Sequence, residues 1–183
     1  MRTLSIVDEE GNIIGEDTRE NIHKKGLLHK EVHVWFYTPK GGIIFQLRGK
    51  DKDTFPNLLD ATVGGHVELG DDYVDTALKE TLEETGVRAI KNDLYLVAKI
   101  RKIAKDPATD MVNNVLRMVY AYEYSGNIED LGIEEGSQGF EEWLIKKLLV
   151  GLSETEKKRF IPSILENEYL EIYRKIGRLL KQE

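Results

Sequence analysis

No cysteine occurs anywhere in the 183-residue chain. That excludes a disulfide framework and every chemistry that needs a thiolate. Proline is scarce, at four residues, and no proline-rich or low-complexity linker divides the chain. Positive charge is in the minority, with 26 basic residues against 33 acidic and a net charge of −7. This disfavours a broad nucleic-acid surface, so an anionic ligand has to be met by local cations rather than by a global field. Apolar runs fall far short of the ~18 residues that read as a membrane-spanning helix, so no membrane partner is expected. Met1–Glu9 lacks the apolar stretch of a signal peptide, and a cytoplasmic location is expected.

What remains is an ordinary globular composition, 40% hydrophobic, in a length that suits one domain with a substantial core. We expect a single domain over 1–183, with its core at roughly 30–150, an N-terminal hairpin within 1–22 and a C-terminal helical segment at 153–183. Leu4–Val7 and Asn12–Gly15 flank a turn and read as the hairpin. A short helical turn is expected over Thr18–Ile22. Glu31–Thr38 alternates Val32, Val34 and Phe36, a strand signature, and turns at Pro39–Gly42 into a second strand, Gly42–Arg48. Further strands are expected over Asp93–Lys102, Val112–Tyr124 and Phe140–Leu144, with a loop at Ser125–Gly139 and a helix starting at Ile145. Ser153-Glu154-Thr155-Glu156 reads as a capping box. Beyond Pro162, residues Leu165, Tyr169, Ile172, Ile176 and Leu179 form an amphipathic stripe. Core packing is the preferred reading of that stripe, and a homodimer contact stays open.

The densest information lies in Gly65–Val87. Asp71 is expected to cap a helix over roughly 72–85, with Asp72 in its first turn and Gly86 as its left-handed end. At about 3.6 residues per turn, Val74, Ala77, Leu78, Thr81 and Leu82 share the packing face, and Glu80, Glu83 and Glu84 fall on another arc. Glu80 repels both other glutamates, by about 0.2–0.5 kcal/mol per pair. Glu83 and Glu84 also sit at the negative end of the helix dipole, costing roughly 0.3–1 kcal/mol each. Lys79 offsets part of this through Glu83. Taken alone, such a run reads as a solvated acidic face. The preceding Gly64-Gly65, which permits close backbone approach, tips the balance toward a bound divalent cation. Oxygen donors of this kind suit Mg²⁺ or Mn²⁺ bridging to substrate phosphates.

The spacing resembles the Nudix box, Gly-x5-Glu-x7-Arg-Glu-apolar-x-Glu-Glu-x-Gly-apolar. Gly65, Glu80, Glu83, Glu84, Gly86 and Val87 match it, while Asp71 stands for Glu, Lys79 for Arg and Thr81 for the apolar residue. In the family the first two brace the loop against the helix as an acid–base pair. Asp71 with Lys79 keeps both signs but loses the guanidinium fork. Val7–Asn12, His29–Val34 and Arg48 through Asp53-Thr54-Phe55-Pro56 look like the branch related to isopentenyl diphosphate isomerase, over roughly residues 3–144.

The resemblance implies an α/β fold, the Nudix-type α/β/α sandwich with a mixed sheet. It also implies metal-dependent hydrolysis of a diphosphate linkage in a nucleoside diphosphate derivative or related small molecule. Glu80, Glu83 and Glu84 would ligate Mg²⁺ or Mn²⁺, with Glu83 and Glu84 as the catalytic pair. Arg48, Gly64, Gly65 and His66 would face substrate. In the isomerases the residue equivalent to His66 is a metal ligand; ordinary loop polarity is the alternative here. Glu135 and Glu141 are candidates for the distal glutamate that Nudix enzymes use in metal binding or base catalysis. Arg101, Lys102 and Arg117 are weaker phosphate candidates. Tyr95, Tyr120 and Tyr122 are strand tyrosines that stack on a base or, as more often, belong to the sheet. His29 and His33 read as structural, and His23 carries no signal.

Two other functions compete. Isomerase activity uses a catalytic cysteine, and alignment of the segment before His66 puts that position on Gly64. A non-catalytic sensor is disfavoured because all three box glutamates remain.

Overall fold

A computed structural model describes residues 3–52, 54–106 and 109–180. Among these, nine strands form one mixed sheet: β1 (Thr3–Val7), β2 (Ile13–Thr18), β3 (His29–Tyr37), β4 (Gly42–Arg48), β5 (Leu59–Asp60), β6 (Val63–His66), β7 (Tyr95–Lys105), β8 (Val112–Glu123) and β9 (Ser137–Leu144). The helices are α1 (Arg19–Lys25), α2 (Tyr73–Thr85), α3 (Ile145–Val150), α4 (Glu154–Lys157) and α5 (Asn167–Leu179).

β3 organises the sheet. One edge runs parallel to β8 from His29↔Val115 to Tyr37↔Glu123. The other edge is shared by three antiparallel neighbours: β1 at His29, β6 at Glu31–Val34 and β4 at Phe36–Tyr37. β9 extends the sheet beyond β4, and β7 beyond β8. β3 is almost wholly buried, and its period-2 alternation feeds two cores. Val32, Val34 and Phe36 join Ile44, Val63 and Tyr120 beneath α2. Trp35 and Tyr37 join Ile43, Phe45 and Val119 on the opposite face, covered by Ile145 and Leu148 of α3 and by Tyr169, Ile172, Tyr173 and Ile176 of α5. This is the expected α/β/α sandwich, and the C-terminal stripe is core packing, as preferred.

The differences have local causes. Thr18 caps α1 by accepting the Asn21 N–H, and Gly26 ends it at φ 63°; the expected turn is therefore a full helix. β5 is too short for any periodicity to reveal. β9 begins at Ser137, so it absorbs the end of the expected loop. The capping box at Ser153 forms as expected, with Glu156 reciprocating. α2 starts at Tyr73, and its cap is Asp72, whose Oδ1 accepts the Asp75 N–H at 2.8 Å. Asp71 is therefore not the cap. Gly86 closes the helix at φ 73° as expected. Among the described residues no helix is long and apolar enough to cross a membrane.

Candidate functional site

α2 does not bury the stripe that its apolar residues outline. Its buried residues are Thr76, Ala77, Glu80, Thr81, Glu84 and Thr85, while Leu82 is 38% exposed. The helix is rotated so that two glutamates face the sheet, Glu80 at 7% and Glu84 at 8% exposure. Glu83 stays on the open side. Thr76 and Thr85 satisfy their hydroxyls on helix carbonyls, at 2.8 and 2.6 Å, a bonding mode that lets threonine tolerate burial on a helix.

Gly65 on β6 makes this rotation possible. A Cβ placed there would lie 2.4 Å from Glu80 Cγ and 2.8 Å from its Oε1, so the carboxylate rests directly on the strand backbone. Gly64 faces the other way, toward the His33 ring. On β4, Gln46 donates from Nε2 to Glu84 Oε2 at 3.1 Å. Burial pushes the Glu84 carboxyl well above the usual carboxylate range, and the charges of Glu80 and Glu134 push it the same way. Two buried acids, with a neutral amide as hydrogen-bond donor to one of them, have the oxygen chemistry that suits a divalent cation.

Glu134, which sequence reasoning did not name, is an exposed residue whose charge acts on Glu84. It sits in the segment between β8 and β9, which is fastened at both ends. The Gly132 N–H reaches Thr85 O at 2.8 Å, and the Gly49 N–H reaches Gly136 O at 2.9 Å. A Cβ at Gly49 would come within 2.5 Å of Gly136 O, so this seam needs glycine. Of the two candidates named, Glu135 adjoins Glu134 and is exposed like it. Glu141 pairs with Phe45 across β4–β9, which places it on the face opposite α2, where Arg159 and the Trp143 indole engage it.

Lys79 pairs with Glu68 at 3.7 Å, so the brace between loop and helix uses Glu68 rather than the exposed Asp71. Arg48 donates to the carbonyls of Thr54 and Phe55, to Thr54 Oγ1 and to Asp60 Oδ2. These bonds make it the clamp of the 54–60 turn. The weaker phosphate candidates are also engaged: Arg101 by Glu9 and Asn114, Lys102 by Glu166, and Arg117 by Glu31 and Tyr169 in the core beneath α5. Tyr120 is core, and Tyr122 lies against Phe36 with ring centroids 4.7 Å apart.

His66, at the end of β6, meets His23 of α1 and His29 of β3. Their ring nitrogens lie within 4.8 Å of one another, with His66 Nε2 at 3.2 Å from His23 Nε2. Nδ1 of His23 sits 2.7 Å from Arg19 O, and Nδ1 of His29 sits 2.9 Å from Leu27 O. A carbonyl accepts only, so each Nδ1 carries the proton and each Nε2 presents a lone pair inward. The His29 Nε2 is buried without a partner. Burial lowers the affinity of both His29 and His66 for protons, His66 to about 3. This nitrogen set suits Zn²⁺, Fe²⁺ or Ni²⁺ rather than Mg²⁺ or Mn²⁺. The structure thus gathers His66, expected as ligand or loop polarity, with His29, read as structural, and His23, which carried no signal, into one group that could hold a metal ion. Their shared signal was Gly26, which ends α1 and turns His29 back beside it.

Comparison with known proteins identifies the family and the fold. The NUDIX domain family model matches residues 27–164. An uncharacterized Nudix hydrolase of Clostridium acetobutylicum is 31% identical over 137 residues, covering 72% of this chain and 64% of that protein; the chain thus spans somewhat under two thirds of that relative. Among solved structures, a Deinococcus radiodurans protein superposes with a TM-score of 0.69 at 20% identity, covering 94% of this chain and 98% of the other. The NUDIX domain of Shewanella oneidensis NrtR, crystallised with ADP ribose, superposes with a TM-score of 0.54 at 15% identity over 83% of this chain and 87% of that one. With the box residues gathered on a rotated α2 and the family model covering most of the sequence, this chain belongs to the Nudix family.

Proposed function

We propose that the chain hydrolyses a diphosphate linkage in a nucleoside diphosphate derivative or related small molecule, with Mg²⁺ or Mn²⁺ held by Glu80, Glu83 and Glu84. The observation that carries this is the burial of Glu80 and Glu84 together, with the charges of Glu80 and Glu134 acting on Glu84 and only neutral N–H groups donating to it. Such a cluster is costly unless a cation completes it. When bound, the cation supplies the positive charge that offsets phosphoryl oxygens and favours ionisation of the attacking water.

The chain's own residues do the rest. Gly65 lets the Glu80 carboxylate rest on the β6 backbone, from which it would reach the cation. Lys79 with Glu68 fixes the loop that leads into α2. The proton acceptor for the attacking water comes from the segment anchored at Gly132 and Gly136, from Glu134 or its neighbour Glu135, while Glu141 lies on the other face. Glu83, on the open side of α2, faces incoming substrate. His66, His23 and His29 hold a second, nitrogen-ligated cation, in keeping with the ligand role that the resemblance implies for His66.

The test is a panel of coenzyme A derivatives, sugar nucleotides, ADP-ribose, dinucleotides and oxidised nucleotides, run with Mg²⁺ or Mn²⁺ and with product identification. ADP-ribose belongs in it because the NrtR domain was crystallised with it. Glu83→Gln and Glu84→Gln are expected to lose more than the about 10- to 100-fold that outer-shell partners cost. No turnover of any class, or turnover untouched by both variants, removes the proposal. Tight binding without turnover would favour a sensor.

A further inference from the structure

We propose that Gln46 is a positioning residue that presents Glu84 to the cation of the box, an inference that rests on the metal-dependent reading above. Gln46 occupies a place where the sheet should be apolar. It follows Ile44 on the row of β4 that faces α2, and Ile44 is fully buried in the core there. Its backbone is among the most constrained in the sheet, since β4 pairs Gln46 with Phe140 of β9 on one side and Asp60 of β5 on the other. The 3.1 Å bond to Glu84 therefore ties the helix carboxylate to a rigid strand 38 positions away in sequence.

The choice of side chain is the informative part. The amide turns its N–H toward Glu84, and a carboxylate that ligates a cation can only accept. Gly64 adds a backbone N–H to the same carboxylate. Both donors are neutral dipoles, and neither cancels the negative charge. Lysine or arginine at position 46 would hold Glu84 more strongly but would fill the space that a divalent ion needs. Leucine would fit the surrounding apolar row but leave the carboxylate without this donor. Glutamine meets both requirements: it fixes the orientation of the ligand oxygens before the ion arrives and leaves their charge available. Outer-shell partners of metal ligands characteristically do this.

The experiment uses the full chain and Mn²⁺, read by the electron paramagnetic resonance signal of free Mn²⁺, which needs no turnover. Glu84→Gln defines the component that belongs to the box, so uptake at the histidine cluster is subtracted. Gln46→Leu is expected to weaken that component about 10- to 100-fold. Gln46→Lys is expected to weaken it at least as much while the melting temperature in chelator holds or rises, because the ammonium neutralises the acidic pair. A contact that only supported the fold would lower both together. Gln46→Leu binding within twofold of wild type overturns the inference, as does a parallel loss of affinity and melting temperature in Gln46→Lys. If Gln46→Leu does not fold, the Gln46→Lys comparison decides alone. Wild-type protein with no component sensitive to Glu84→Gln instead removes the metal-dependent reading itself, and the Gln46 inference with it.

Discussion

Replacing Gly65 by alanine tests the geometry on which the candidate site depends. The new Cβ would lie 2.4 Å from Glu80 Cγ, about 1 Å inside ordinary contact, which begins at 3.4 Å. Two responses are open. If Glu80 stays inside the cluster but gives way by about 1 Å, the overpacked contact costs about 1–3 kcal/mol, or roughly 2–4 °C of melting temperature per kcal/mol in a domain of this size. If Glu80 turns outward, stability is largely recovered but a ligand oxygen leaves the cluster. Both responses displace that carboxylate by about 1 Å or more, a misplacement that costs on the order of 100-fold in rate when it involves catalytic groups. Mn²⁺ affinity, followed by calorimetry, should therefore fall whichever way the side chain moves, and melts in chelator tell the two responses apart. Gly64→Ala is the matched control for stability. Its Cβ would meet the His33 ring on the opposite face at an ordinary 3.5 Å, so its melting temperature should change little. Unchanged Mn²⁺ affinity in Gly65→Ala would show that Glu80 is not pinned against β6, and the account of a buried acidic cluster would fail.

Three further outcomes are expected. Thr81→Val should raise stability by about 1 kcal/mol, because the Thr81 Oγ1 is buried with no partner and the change replaces it with a methyl; a loss in urea titration would contradict this. Metal-stripped protein should lose stability steadily from pH 6.5 downward. Burial pushes His33 down to about 4 and His66 to about 3, so the unfolded chain binds more protons in that window and each histidine contributes up to about 1.4 kcal/mol per pH unit. Glu31 adds a further loss below about pH 4.3: burial alone would raise its carboxyl, but the Arg117 guanidinium overrides that and holds it low. A urea midpoint that stays flat from pH 7 to 5 would refute the assignment. Finally, Co²⁺ added to stripped protein should give visible ligand-field absorption that His66→Ala abolishes; a spectrum unchanged by that substitution would mean the three rings hold no metal.

Much of this was legible in the sequence, and the unread parts share a cause. The alternation of Val32, Val34 and Phe36 located the central strand because one period served both cores. Gly86 and the Ser153 box marked their helix ends because capping is a local interaction. The box glutamates were found by spacing, but their orientation was not. Amphipathic reasoning buries Leu82 and exposes Glu80, whereas the fold does the reverse, because Gly65 and Gln46 receive the acids from another part of the chain. The histidine cluster was hidden for the same reason. Residues 23, 29 and 66 belong to three elements, brought together only when β6 pairs with β3 and α1 closes over them. Glu134 depended on the glycine seam at Gly49 and Gly136, which no local pattern encodes.

The inverted face of α2 bears directly on function. A helix that hides Glu80 and Glu84 while leaving Leu82 in solvent has given up hydrophobic burial and accepted like-charge repulsion at the negative end of its own dipole. Nothing in the packing of the sheet requires this, since Val34, Ile44 and Val63 offer an apolar surface that leucines would cover well. Local choices that oppose stability persist where they serve a site. On this view Leu82→Lys should be nearly neutral, within about 0.5 kcal/mol, as for a surface position, whereas Glu84→Leu should stabilise the metal-free fold while abolishing Mn²⁺ uptake at the box. A Glu84→Leu protein less stable than wild type in chelator would mean that the buried acid is structural, and the inversion would lose its functional explanation.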